Sequence, residues 1–208
     1  MLHYETIDSA TLELLKQLLS IQMFEQLRLV GGTALALQLG HRKSIDLDLF
    51  GNIDSDVLEI NNVLSRVGNV TQLRNSTNIH IYQVNGIKVD IVNYTYPWLS
   101  GIIQFDELRI AAYEDIAAMK IAAITGRGTK KDFIDLYFLL KEFTLSDMIN
   151  FYQRKYTDGS VFMALKSLVY FEDAEQDEMP NMLVNADWRE VKEAITIAHA
   201  GYIKELRK

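Results

Sequence analysis

The sequence has no cysteine and only two prolines in 208 residues. Without cysteine there is no disulfide framework and no thiolate metal site, a usage that fits a reducing compartment. No apolar run approaches the ~18 residues that a membrane-spanning helix requires. The opening MLHYETIDSATLELL has no basic stretch ahead of an apolar one and carries acids early. No secretory leader is therefore expected, and a cytoplasmic location is. Positive charge is scarce: 21 Lys and Arg stand against 28 Asp and Glu, for a net charge of −7. That balance argues against broad, non-specific binding to nucleic acid. The G-x-x-x-x-G-K-[ST] phosphate loop is absent, and so is a G-x-G-x-x-G turn, so neither a P-loop nor a dinucleotide site is supported. There is no internal repeat and no low-complexity segment.

What remains is an ordinary globular composition, 49% hydrophobic and 24% charged, in a chain long enough to bury a real core. Residues 9–27 carry apolar side chains at helical spacing behind Asp8 or Ser9 as a cap. Arg28-Leu29-Val30 reads as a short strand entering Gly31-Gly32, and residues 33–39 as a short helix closed by Gly40. Residues 44–50 alternate with period two and read as a strand. Residues 52–68 read as a capped helix ending at Gly68. Two β-rich runs flank Asn85-Gly86, a strong hairpin signal, and residues 107–112 suggest one more strand. Beyond residue 112 the chain changes to helical periodicity throughout, with Thr144 and Asp147 spaced as a capping box. Pro97 and Pro180 fall in connections, and the acidic run at 171–178 reads as a solvated loop. The expected fold is α+β: a mixed α/β domain over 1–108, then an all-helical domain over 109–208.

Two aspartates interrupt the apolar run IDLDLF at 45–50. In a strand, residues i and i+2 share a face, so Asp46 and Asp48 point one way while Leu47 and Leu49 point into the core. A buried carboxylate is costly without compensating charge. With a two-residue turn at 85–86, Asp90 lies opposite Ile81, and a neighbouring IDLDL strand would let three carboxylates converge. All-oxygen ligation of this kind suits Mg²⁺, with Mn²⁺ as an alternative, bound together with phosphate oxygens. Two such ions could clamp the attacking and leaving oxygens of a nucleotidyl transfer. Gly31-Gly32-Thr33, between a strand and a helix, places backbone N–H groups where they can face a phosphate.

Gly31-Gly32, thirteen intervening residues, Asp46-Leu47-Asp48 and a later strand aspartate, Asp90, resemble the signature of the DNA polymerase β-like nucleotidyltransferases. More closely, LVGGTALALQLGHRKSIDLDLF and KIAAITGRGTKKDFIDLYFLL resemble the AbiEii/AbiGii toxin family of bacterial nucleotidyltransferases. The resemblance spans roughly residues 28–142. It implies a nucleotidyltransferase fold, a mixed sheet with flanking helices, followed by a helical bundle that closes one wall of a cleft. It also implies transfer of a nucleotidyl group from a nucleoside triphosphate with Mg²⁺ to an acceptor such as a tRNA 3′ end, by the toxin of a toxin–antitoxin or abortive-infection pair. Asp46 and Asp48 would then be metal ligands, and Asp90 the third carboxylate, as ligand or as general base. Gly31, Gly32 and Thr33 would cradle phosphate.

The basic residues extend this reading. Lys120, in an apolar helix, either snorkels to water or, as the resemblance favours, supplies a point charge for the triphosphate. Arg127 and Lys131, with Lys130, follow Gly126 and can neutralise phosphate charge. Asp132 and Asp135 share one helix face and would orient that basic loop, Asp135 by pairing with Lys131 or Arg127, rather than bind metal. Arg42 either reaches the nucleotide or is an ordinary solvated charge. Ser44, two residues before Asp46 in a continuous strand, would face the same site. Phosphorylation there, or Ser44→Glu, should repel the triphosphate. The competing expectations are transfer onto a protein hydroxyl and a non-catalytic nucleotide- or partner-binding module.

Overall fold

The computed structural model describes residues 1–54 and 56–207. The chain forms two compact units, one of Met1–Tyr96 with Gly101–Ala111, the other of Pro97–Ser100 with the chain from Ala112 onward.

The first unit is a seven-stranded mixed sheet with helices packed on it. In chain order its elements are α1 (Ser9–Ser20), β1 (Arg28–Val30), α2 (Gly31–Leu39), β2 (Leu47–Gly51) and α3 (Val57–Leu64), followed by β3 (Val70–Asn75), β4 (Ile79–Val84), β5 (Ile87–Asn93), β6 (Ile103–Phe105) and β7 (Leu108–Ile110). The sheet order is β3-β4-β5-β2-β1-β7-β6. β2 is antiparallel to β1 and parallel to β5, and β1 is parallel to β7. Leu29, Leu47, Leu49, Val89 and Ile91 are fully buried. The alternation in β2 and β5 leaves Asp48, Phe50, Lys88 and Asp90 less buried than these neighbours, as the period-two pattern requires.

Several boundaries differ from the sequence reading for local reasons. The first helix stops at Ser20, and a 3-10 turn spans Gln22–Phe24. The Arg109 guanidinium from β7 donates to the carbonyls of Leu19 (2.9 Å), Phe24 (2.9 Å) and Leu27 (3.0 Å), and a helix continued to residue 27 would have used the Leu19 carbonyl internally. Asp8 is the cap, its carboxylate accepting from Thr11 N at 2.8 Å. The expected helix at 52–68 is α3 alone, capped by Asp56; Ser55, within that range, lies outside the described residues. β3 and β6 were not foreseen: β3 is exposed along almost its whole length and carries no apolar alternation. Asn85 and Gly86 turn the β4–β5 hairpin with positive φ of 51° and 85°, as an Asn-Gly turn should.

The second unit holds α4 (Tyr113–Gly126), α5 (Lys130–Leu139), α6 (Leu145–Lys155), α7 (Val161–Leu168) and α8 (Trp188–Glu205). α4 packs against α5, α6 and α7, while α8 closes on α5, α6 and α7. Its core includes Ile116, Ile121, Phe133, Leu136, Met148, Ile149, Leu168 and Val191. Thr144 and Asp147 form the capping box that starts α6. Lys155 is fully buried and ion-paired to Asp115 at 2.7 Å, and it also donates to the Pro97 carbonyl at 2.8 Å. The other Asp115 contacts are the N–H groups of Leu99 and Ser100, so segment 97–100 is fastened to α4. The acidic run at 171–178 is largely exposed, as expected of a solvated loop. It contains a 3-10 turn (Glu172–Ala174) with Ala174 buried. Its Asp177 carboxylate accepts from Lys130 N at 2.9 Å, and Glu175 accepts from Trp188 Nε1 at 2.9 Å. No described helix is long and apolar enough to cross a membrane.

Candidate active site

The carboxylates of the first unit are placed by strand register. β1, β2 and β5 lie side by side, pairing Val30 with Asp48 and Asp48 with Asp90. Asp90 also lies opposite Ile81 across the hairpin, the register read from the Asn-Gly turn. β1 runs directly into α2 at Gly31, whose φ is +69°. A Cβ built on Gly31 would stand 2.3 Å from Asp48 Oδ2. The Asp48 carboxylate therefore lies over the Gly31 Cα at the start of α2. Only glycine fits there, for two reasons: the positive φ and the missing Cβ. The N-cap residue of α2, Val30, has an apolar side chain that cannot cap the helix, so the first N–H groups and the helix dipole favour an anion at that point.

Asp46 is not part of the strand, since β2 begins at Leu47. Thr33 Oγ1 donates to the Asp46 carbonyl and lies 2.8 Å from Ser44 Oγ. The Asp46 carbonyl is thus taken by a side chain from α2. Thr33 is only 1% exposed, so its hydroxyl positions Asp46. Ser44 correspondingly lies outside a continuous strand. Its N–H donates to the Thr6 carbonyl at 2.9 Å and its hydroxyl meets Thr33. The N-terminal residues hold the end of α2 and the same loop: His3 N donates to Leu37 O of α2 at 2.7 Å, Lys43 Nζ to Glu5 O, and the His3 ring packs on Gly40. Arg42 is 3% exposed and donates to the Lys43 carbonyl at 2.9 Å, so it is not a solvated charge.

Lys88 was not singled out from the sequence. Its Nζ lies 2.6 and 2.7 Å from the two oxygens of Asp90. The signal was present, because residues two apart on one strand share a face. The three aspartates do not form a ready metal cage: among the described residues no group of three or more His, Cys, Asp or Glu side chains is placed to hold a metal ion. Asp46 and Asp48 remain a suitable donor pair for Mg²⁺, which takes one or two carboxylates and completes its shell with phosphate oxygens and water.

In the second unit Lys120 is 5% exposed and lies 3.0 Å from Asp132 Oδ1 and 2.6 Å from Asp135 Oδ2. Asp135 therefore takes Lys120 as a partner, a pairing the sequence reading did not consider. Asp132 also accepts from Thr129 Oγ1 (2.5 Å) and from Arg127 Nε (3.3 Å), and with Thr129 forms the capping box that starts α5. Burial alone would raise the Asp132 pKa, but Lys120, Thr129 and Arg127 outweigh it and hold the carboxyl at about 2. Arg127 remains 64% exposed, and Lys131 is exposed on the first turn of α5. Lys130 instead is buried and donates to the carbonyls of Glu175 and Asp177.

Residues 13–200 match the family described as nucleotidyl transferase AbiEii toxin, type IV TA system. A protein of Aquifex aeolicus (strain VF5) is 35% identical over 187 residues, covering 87% of this chain and 90% of its own. Among solved structures, the nucleotidyltransferase toxin MenT4 (Rv2826c) of Mycobacterium tuberculosis H37Rv aligns with a TM-score of 0.66 at 17% identity, over 92% of this chain and 81% of its own. JHP933 of Helicobacter pylori aligns with a TM-score of 0.54 at 21% identity, over 97% of both chains. At these identities the two structures speak for the fold alone.

Proposed function

Because the chain belongs to the AbiEii family of nucleotidyltransferase toxins, we propose that it transfers a nucleotidyl group from a nucleoside triphosphate to an RNA acceptor such as a tRNA 3′ end, with Mg²⁺. The observation that carries this reading is the placement of Asp48: its carboxylate lies over Gly31 at the start of α2, in register with Asp90 on the next strand. A phosphate group and the cation that accompanies it would be served at that one point.

In this mechanism Asp46 and Asp48 would hold Mg²⁺, which would supply electrostatic stabilisation of the charge that develops on the α-phosphate oxygens. The backbone N–H groups of Gly31 and Gly32 bind phosphate oxygen, while Thr33 fixes the Asp46 backbone. The acceptor hydroxyl oxygen attacks the α-phosphorus, the bond from α-phosphorus to the bridging oxygen breaks, and pyrophosphate leaves. The hydroxyl proton passes to the Asp90 carboxylate. In the helical unit Arg127 and Lys131 carry exposed positive charge. Lys120, locked between two buried aspartates, holds Asp132 and through it the basic loop. A cognate antitoxin is the partner that the family implies.

The test is incubation of the purified protein with each of the four ribonucleoside triphosphates, radiolabelled at the α-phosphate, with total bacterial tRNA and either Mg²⁺ or EDTA. Label on RNA in the Mg²⁺ reaction alone is the expected result. Label on protein would move the acceptor to a protein hydroxyl. Nucleotide binding with no transfer to any acceptor would leave a binding module.

A further inference from the structure

Resting on that reading of the site, we propose that Lys88 takes the place of a second metal ion, so that the enzyme works with one divalent cation and one resident ammonium. Nucleotidyl transfer can be served by two cations, one toward each reacting oxygen. A second ion here would need carboxylate oxygens beyond those of Asp46 and Asp48, and the next strand offers Asp90. Both Asp90 oxygens are engaged by one ammonium, at 2.6 and 2.7 Å. These are short, charge-assisted contacts, and the Asp90 side chain is only 17% exposed.

The strand register explains why the ammonium stands there. β2 and β5 pair Leu47 with Val89 and Asp48 with Asp90. One residue earlier on β5 is Lys88, on the same strand face as Asp90 and level with the position that Asp46 occupies just ahead of β2. Charge closes on the same count. Three carboxylates are balanced by one divalent ion and one ammonium, whereas two divalent ions plus Lys88 would leave excess positive charge before any nucleotide arrives. An ammonium has three donors and no need of octahedral oxygen ligation, so it can hold Asp90 oriented where Mg²⁺ would demand more ligands. The pair itself contributes little to fold stability, because Lys88 is 41% exposed. Its removal should therefore change the site and spare the fold.

Mn²⁺ binding, followed by the electron paramagnetic resonance of the free ion, tests this directly. The protein is titrated with Mn²⁺ alone and with the α,β-methylene analogues of the four ribonucleoside triphosphates. The expected result is one Mn²⁺ per chain for the wild type and for Lys88→Arg, two for Lys88→Met, and none for Asp46→Asn/Asp48→Asn. Two ions on the wild type, or one on Lys88→Met, would overturn the role of Lys88 and leave the metal site standing. No ion on the wild type with any analogue would overturn the metal reading, and this inference with it.

Discussion

Gly31 concentrates the constraints on the site. Its φ of +69° strains any other residue, and an added Cβ would meet Asp48 Oδ2 at 2.3 Å. Gly31→Ala should lower stability by about 1–3 kcal/mol and abolish label transfer, because the carboxylate must move off the helix start. A melting curve and the transfer assay read the two effects separately. Asp132 makes a second prediction, with a defined sign. Its folded pKa, about 2, lies below the ordinary carboxylate value. The stability it contributes is complete above the unfolded pKa of about 4 and is lost as pH falls through about 2. Urea unfolding should therefore show a loss of about 2 kcal/mol over that interval, and Asp132→Asn should remove most of that pH dependence. The aspartates and glycines were legible in the sequence because their spacing fits one strand–helix turn. The Lys120 partnership with Asp135 was not, since nothing in the sequence sets how α4 and α5 meet.

α4 and α5 are joined by that buried cluster. Lys120→Ala would leave Asp132 and Asp135 in the interior without the ammonium between them. A loss of about 3–5 kcal/mol in chemical denaturation is expected, as against little change if the lysine were only a solvated phosphate contact. The N-terminal turn acts on a different segment. Its backbone and side chains hold Lys43, Ser44 and Gly40 in the loop ahead of Asp46. Deleting residues 1–6 should raise amide hydrogen exchange across 40–46 and depress transfer, with exchange in α4–α8 unchanged. The α2–β2 loop also shows where periodicity misleads. The alternation of SIDLDLF extends over 44–50, yet the strand starts at 47 because Thr33 and Thr6 take the backbone groups ahead of it. The helices of the second unit were legible as elements from their apolar stripes and caps. The exposure of the acidic run was legible from its charge, whereas its contacts with Lys130 and Trp188 were not.

Both units are built on patterns visible in the chain, a mixed sheet before about residue 112 and helices after it, but the sheet order rests on long-range pairing. β2 next to β5 brings Asp48 beside Asp90 across about forty residues, and no local signal sets that neighbour. The chain carries a net charge of −7, so phosphate recognition has to come from local groups rather than from the field of the whole protein. The account stands on Asp46 and Asp48 holding a metal–nucleotide pair at the α2 start. Isothermal titration of each ribonucleoside triphosphate, with Mg²⁺ and with EDTA, into wild type and a folded Asp46→Asn/Asp48→Asn variant measures this most directly. The account predicts Mg²⁺-dependent binding of at least one triphosphate by the wild type and loss of that binding in the variant. Equal binding by the two proteins, or binding indifferent to Mg²⁺, would contradict it.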